Sequence, residues 1–478
     1  MNIDFSLLIT EISLAILGLT VFTLGLILPA KSSQKGLGTF SLCGLLVILA
    51  LTIASWGNQG ETLGGMYLAD YFTSFFKILS LTALILVILG SKNYVNSQIE
   101  NHLEYYSTLI FATLGMIIMF SAGDFITLYL GLELMTISFI VLTSFRRTNG
   151  KSLEAGMKYL LLAGLSSAVL LYGLSLVYGA AGTVFIKEIA GNIAQGYFNP
   201  LLIVGLAMLI AGFGFKISAA PFHMWAPDVY EGAPTPVTAF LAVGSKAASF
   251  AVLIRVFLGA FLEMQEQWTM LIAFLAALSM LIGNLTAFAQ TNIKRMLAFS
   301  SIAQAGYILV GLVAANEAGI KGVMFYSFIY VFATIGAFTV VSEVYNKTGS
   351  DDIADYAGLS QRAPLAAVVL LISMLSMAGI PPLAGFTGKY YLFITVVQDY
   401  LWLVYLGLIL SMVSVYYYLR VVLVMFRDEP ADPAPLKLGS TASLTLWLTL
   451  AATLFLGIYP WPLAKLANTV AIAFLAGL

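Results

Sequence analysis

Apolar runs of about twenty residues follow one another along nearly the whole chain, and only short polar stretches separate them. The longest of those stretches cover 92–104, 145–152, 347–363 and 427–439. A run of about twenty apolar residues crosses the hydrocarbon core of a bilayer as a helix. Inside lipid the backbone must satisfy its own polar groups, which leaves helices or closed barrels. Barrel strands would alternate over short segments, and no such alternation is present. Composition agrees: 60% of residues are hydrophobic and 9% charged, against about 25% charged in soluble domains. The chain reads as an all-α polytopic membrane protein.

About fourteen spans are expected, over 5–29, 37–56, 69–91, 106–121, 124–144, 156–178, 199–221, 237–261, 269–289, 296–315, 320–346, 364–393, 400–426 and 441–464. The first run is too long, and lacks the basic start, for a cleavable signal. Alternate connections, starting after the first span, carry Lys31, Lys35, Lys92, Arg146, Arg147, Lys151, Lys294, Arg295, Lys347, Arg362, Arg427 and Lys437. The opposite set holds Lys187, Lys321 and Lys465. The positive-inside rule makes the first set cytoplasmic. An even number of spans then puts both termini outside.

No polar stretch is long enough to bury a core of its own, so the function must lie in the membrane. No glycine pattern for cradling phosphate follows a strand. The single cysteine, Cys43, excludes an intramolecular disulfide and a cysteine-ligated cluster within the chain. A net charge of -1 argues against nucleic acid as a partner.

Four charges interrupt the spans: Glu133, Lys216, Lys246 and Lys389. A charge at mid-bilayer costs roughly 2.5–3.5 kcal/mol on the insertion scale, so it marks function by default. Two of the lysines stand beside helix breakers. Lys216 precedes Pro221 in AGFGFKISAAPFHMWAPDVYEGAPTP, and Pro381, Pro382, Gly385 and Gly388 precede Lys389 in AGIPPLAGFTGKYYLF. Proline removes a backbone donor and clashes with the preceding turn. The freed carbonyls need protein or water, which transporters exploit at midplane sites. The simpler alternative is a proline kink with a snorkelling lysine. Lys246 lies ten residues past Pro236, about 15 Å along a helix, among Gly244, Ser245, Ala247 and Ala248. Those small neighbours admit water or a closely packed helix; the alternative is again snorkelling. Burial disfavours the charged form of Glu133 and of Lys216, and each opposite charge restores it. A proton gained or lost at one changes the proton affinity of the other. A static buried ion pair is the competing reading.

The breaks recur in both halves of the chain. Spans four to eight and nine to thirteen form two five-span units, and an odd number of spans inverts the second relative to the first. The expected organisation is an N-terminal segment 1–105, a first repeat 106–261, a second repeat 269–426 and a C-terminal span within 440–478.

Weaker candidates surround the four charges. Lys158 is a relay member or an interfacial anchor. His223 is a proton carrier, because imidazole titrates near neutrality, or a donor to loosened carbonyls. Ser300, Ser301 and Gln304 hold water between lysines or pack helices. Arg255, Arg420, Lys77, Glu11 and Glu343 are expected to snorkel, and Glu104 and Asp124 to face water. The tyrosines and tryptophans are read as interfacial anchors without functional weight.

Several stretches resemble the antiporter-like membrane subunits of respiratory complex I, the NADH–quinone oxidoreductase. They are YLGLELMTISFIVL, SLEAGMKYLLLAGLSSAVLLYG, FKISAAPFHMWAPDVYEGAPTPVTAFLAVGSKAASF, GNLTAFAQTNIKRMLAFSSIAQAGY, MAGIPPLAGFTGKYYLF and YYYLRVVLVMF. The LGLELM and VGSKAASF forms are most similar to the subunit N family. The resemblance implies fourteen helices with helices 7 and 12 broken, and a central polar axis. It implies Glu133 and Lys216 as an ion pair, Lys246 as the central relay lysine and Lys389 as the terminal one. Some family members have histidine where Gln304 stands; glutamine orients water but carries no proton at ordinary pH. No long lateral helix is expected after span fourteen, which argues against the subunit L type.

The resemblance further implies a proton-translocating subunit with no redox group of its own. NADH or another donor, FMN, iron–sulfur clusters and quinone are expected in partner subunits, within a bacterial cell membrane. The alternative is a subunit of a multi-subunit Na+/H+ antiporter. A solute carrier is a third reading and would need a roomy midplane pocket.

Overall fold

The computed structural model describes residues 3–27, 36–196, 199–430 and 432–477. Lys31 and Lys35, used above for orientation, lie outside the described residues. The first six spans are α1 (Ile9–Ile27), α2 (Leu37–Ala54), α3 (Tyr71–Gln98), α4 (His102–Phe120), α5 (Phe125–Thr143) and α6 (Gly150–Ala181). A short helix α7 (Ile186–Ala194) follows. The seventh span is split into α8 (Pro200–Lys216) and α9 (Trp225–Gly232). Next come α10 (Thr235–Ala260), α11 (Gln265–Ala287), α12 (Ile293–Val313) and α13 (Glu317–Thr348). The twelfth span is split into α14 (Pro364–Ala378) and α15 (Ala384–Phe393). Helices α16 (Leu401–Arg427), α17 (Ser440–Ile458) and α18 (Trp461–Ala476) complete the chain.

Helix starts are set by Asx side chains that accept from orphan backbone N–H groups. Asp70, Asp124, Asn149, Asn199, Asn292 and Asn316 cap α3, α5, α6, α8, α12 and α13 in this way. Asp124 is therefore buried, not water-facing as its place at a span end suggests: it accepts from Ile126 N at 2.8 Å and Thr127 N at 3.0 Å. Among the described residues the all-α expectation has one local exception. A two-stranded hairpin, β1 (Gly60–Thr62) with β2 (Tyr67–Ala69), pairs Gly60 with Ala69 and Thr62 with Tyr67. It binds the turn after α4 through Leu68 N to Ser121 O.

The last span differs from expectation. Helix α17 stops at Ile458, because Pro460 forces Tyr459 out of the helical region. A separate helix, α18, then folds back onto α13 and α3, with Leu463, Ala467, Val470, Ala471 and Phe474 on its buried face. Lys77, Glu11 and Arg255 do not snorkel either. Lys77 Nζ pairs with Glu11 Oε1 at 2.9 Å inside the bundle. Arg255, buried, donates to Asp70, Thr73 Oγ1 and Phe120 O, joining α10 to α3 and α4. Arg420, half-buried, donates to Phe288 O at 3.2 Å.

Helices α10 and α12 are buried along their most apolar windows, whereas α2 and α16 are about one-third buried. The central helices are thus the ones that carry Lys246 and the Ser300–Gln304 segment. Several helix pairs pack at near backbone contact, and two of them occupy corresponding places in the two halves. A Cβ on Gly115 of α4 would lie 2.5 Å from Met135 N of α5, and one on Gly283 of α11 would lie 2.5 Å from Ala303 N of α12. These are the first two helices of each expected five-span unit.

Candidate functional site

The first break follows Lys216, the last residue of α8, earlier than the proline alone suggests. The segment 217–224 turns through Ser218, which takes φ +59. Its freed groups are satisfied by side chains: Trp225 Nε1 donates to Phe215 O at 3.0 Å, and Ala220 N donates to Ser279 Oγ at 2.8 Å. Lys216 points into the bundle, where Nζ donates to Thr136 Oγ1 at 2.9 Å and approaches Ser167 Oγ at 3.4 Å. Thr136 lies three residues past Glu133 on α5, so both occupy one face of that helix. Glu133 and Lys216 nevertheless form no direct ion pair. Oε1 of Glu133 is buried without a hydrogen-bond partner. The threonine hydroxyl takes the place at the ammonium that the sequence reading assigns to the carboxylate.

Lys246 stands at the end of a π turn, Leu241–Ser245, inside α10. The wider turn interrupts the regular helix immediately before the lysine. Its ammonium donates to Ser301 O at 2.7 Å and Ser301 Oγ at 2.9 Å. Lys389 lies within α15 and reaches back across the second break. It donates to Ala378 O at 3.0 Å and Ser411 Oγ at 2.8 Å, and sits 4.2 Å from the centroid of the Tyr307 ring. Gly379, at φ +87, ends α14 in the left-handed region, and an added Cβ there would lie 3.0 Å from Lys389 Cδ. Gly385 and Gly388 do not break this span. They lie in α15 and allow close packing: a Cβ on Gly385 would overlap Ser376 O.

Polar side chains fill the space between these two lysines. Ser300, next to the Ser301 that holds Lys246, is hydrogen-bonded to the Tyr418 hydroxyl. Gln304 Nε2 donates to Tyr418 OH at 3.3 Å and Met377 O at 2.9 Å, and its Oε1 accepts from Tyr326 OH. Met377 is followed directly by Ala378, whose carbonyl Lys389 holds. Beyond it, Asn284 Nδ2 donates to Tyr307 OH at 3.2 Å and its Oδ1 accepts from Tyr417 OH at 3.1 Å.

The family model described as NADH:quinone oxidoreductase/Mrp antiporter, TM, matches residues 122–414. A relative from Desulforamulus reducens, NADH-quinone oxidoreductase subunit N, is 69% identical over 475 residues, covering 99% of this chain and 100% of that protein. The chain belongs to the subunit N family. A subunit N of Heliobacterium modesticaldum is 51% identical over 98% of this chain and 99% of its own length. A chain of respiratory complex I from Thermus thermophilus superposes with a TM-score of 0.82 at 35% identity, covering 96% of this chain and 99% of that one. A chain of the Mrp complex from Dietzia sp. has a TM-score of 0.88 at 20% identity, over 98% and 97% of the two chains, which shows a shared fold. The family match encloses Glu133, Lys216, Lys246 and Lys389 together.

Among the described residues, two weaker candidates make no hydrogen bond to the relay lysines of this subunit N family member. Lys158 is part-exposed and joins a charged cluster, pairing with Asp228 Oδ2 at 2.6 Å and Glu154 Oε1 at 2.7 Å. In the same cluster Arg295 meets Asp228 and Glu231, and Lys151 meets Glu231, around a cavity of about 130 Å³. His223 is mostly buried in the first break, and its Nδ1 has no partner. Sequence reasoning missed Tyr307, Tyr326 and Tyr418, and the π turn. The tyrosines are common in membrane proteins at interfaces. The available signal was their place among apolar residues near mid-span, where a phenol needs a partner.

Proposed function

We propose that this chain translocates protons as a membrane subunit of an NADH–quinone oxidoreductase, using Glu133, Lys216, Lys246 and Lys389 as the relay. The observation that carries the reading is a polar cluster between Lys246 and Lys389: Lys246 binds Ser301, the adjacent Ser300 binds Tyr418, Tyr418 accepts from Gln304, and Gln304 holds Met377 O, one residue before the Ala378 carbonyl that Lys389 holds. Each lysine has neutral acceptors, which hold an ammonium without an ion pair that would trap its proton. Gln304 cannot carry a proton, but with the phenols it orients donors and water along the route. Charge shifts that begin with quinone chemistry in partner subunits would alter the proton affinity of Glu133 and Lys216 and pass along the axis.

The two five-span units are best read as an inverted pair, 106–261 and 269–426, between segments 1–105 and 440–478. Matching close contacts at Gly115 and Gly283 support this reading, as do breaks in the fourth span of each unit. The names of the close relatives favour a redox-driven complex over a separate Na+/H+ antiporter. The names fit partner subunits that handle NADH and quinone; the resemblance to complex I implies FMN and iron–sulfur clusters in those partners, within a bacterial cell membrane. The charge bias of the connections supports placing both termini outside.

The test is Lys246→Ala in the intact complex reconstituted into vesicles. Proton translocation coupled to quinone reduction should fall by about tenfold or more, equivalent to roughly 1.4 kcal/mol, with assembly retained. Lys246→Arg should not restore it, because arginine holds its proton too tightly to pass it on. An assembled Lys246→Ala complex that pumps like the parent would exclude the relay.

A further inference from the structure

At the end of the bundle opposite the hairpin, α12 begins with Asn292, Ile293, Lys294 and Arg295. The Lys294 side chain is 4% exposed. Its ammonium donates to Ala233 O at 2.8 Å and lies 3.6 Å from Asp351 Oδ2. Ala233 caps the end of α9, the second half of broken span seven, and leads through Pro234 into the helix that carries Lys246. Asp351 belongs to the connection that leads from α13 into α14, the first half of broken span twelve. That connection is clipped to the start of α12 by Ile293 N to Asp351 O at 2.9 Å and Ile353 N to Thr291 O at 2.9 Å. Arg295, the next residue, grips α9 from outside through Asp228 and Glu231. Oδ1 of Asp351 is buried and has no partner, so the carboxylate is held for Lys294 rather than by a network of its own.

A buried ammonium is costly, and an apolar side chain of similar volume would serve packing at least as well. What the lysine adds is a link: its ammonium donates to a carbonyl of the first repeat and meets a carboxylate of the second. We propose that Lys294 is a positioning residue that couples the two broken spans, tying the end of α9 to the connection before α14. Rearrangement at one break is then felt at the other through a rigid bridge away from the lysine axis. The inference rests on the relay proposed above.

The experiment measures protons translocated per quinone reduced by the intact complex in vesicles, with Lys246→Ala as reference. Assembled Lys294→Met should lose as much of that ratio as Lys246→Ala does. Lys294→Arg should restore it, since a guanidinium can still donate to Ala233 O and meet Asp351. If Lys246→Ala itself pumps normally, the relay reading fails and takes this inference with it. If Lys246→Ala is impaired while assembled Lys294→Met keeps the parental ratio, the coupling role alone is overturned. An arginine variant as impaired as the methionine variant would make packing the decisive property and would also overturn it. Should Lys294→Met fail to assemble, Asp351→Asn carries the test: a reduced ratio is expected, and a parental one overturns the proposal.

Discussion

The two broken spans reach the same electrostatic arrangement by different local routes. In the first, Lys216 is itself the last residue of the half-helix α8. In the second, Lys389 belongs to the half-helix after the break and reaches back to Ala378 O, the last carbonyl of α14. Lys389's ammonium therefore meets a helix C-terminus, where the macrodipole and orphan carbonyls favour positive charge, whereas Lys216 is the C-terminal residue of its own half-helix and sends its ammonium to neighbouring helices. The surroundings diverge. Lys216 is held by the hydroxyls of Thr136 and Ser167 with a carboxylate one turn away, whereas Lys389 is held by a carbonyl, Ser411 and the face of Tyr307. What the pair shares is a lysine at a helix break whose ammonium is held by neutral oxygens. The carboxylate distinguishes the first site as the one able to sense a change of charge.

The largest expected effect separates the two sites by charge. Lys389→Met in the assembled complex should lower proton pumping by about tenfold or more, because it removes the ammonium that Ala378 O and Ser411 Oγ hold. Normal pumping would remove Lys389 from the route and break the likeness between the sites. A smaller effect concerns coupling at the first site. Glu133→Gln and Lys216→Met, made singly and together, should show a coupling of about 0.5–3 kcal/mol in pumping rate, the double variant being less impaired than the singles sum to. Additive losses would mean that the carboxylate one turn from Thr136 does not sense the ammonium.

The backbone offers a third comparison. Gly379→Ala should lower the stability of the complex by about 1–2 kcal/mol, since the left-handed region disfavours a Cβ and this one would press on Lys389. Ser218→Gly at the other break, already at positive φ with a side chain, should change stability by less than about 1 kcal/mol. Thermal denaturation of the purified complex reads both, and a larger loss from Ser218→Gly would reverse the comparison. The smallest effect is predicted at the bridge. Tyr418→Phe removes one hydroxyl from the contact between Ser300 and Gln304 and should slow pumping roughly two- to tenfold, the equivalent of about 0.5–1.5 kcal/mol. Unchanged pumping would show that the phenol is dispensable to the route.

The succession of apolar helices, the two spans that break and the charges at Glu133, Lys216, Lys246 and Lys389 were legible in the chain as written. The reason is local: a helix in lipid satisfies its backbone within its own segment, so run length, proline and a misplaced charge carry their meaning without a partner. Lys216, Lys246 and Lys389 needed no neighbour to stand out. Which atoms they bind was a different matter. Lys246 finds Ser301 across 55 positions of sequence, and Ser300 finds Tyr418 across 118. The preference of Lys216 for Thr136 over Glu133, and the ion pair of Lys77 with Glu11, depended on how helices distant in sequence were packed and rotated. The amino acids by themselves determined which segments are long apolar helices and which two of them break. The tertiary structure decided the polar partners, because an uncharged hydroxyl or carbonyl becomes a site for a lysine only when packing excludes water and brings the two within hydrogen-bonding distance.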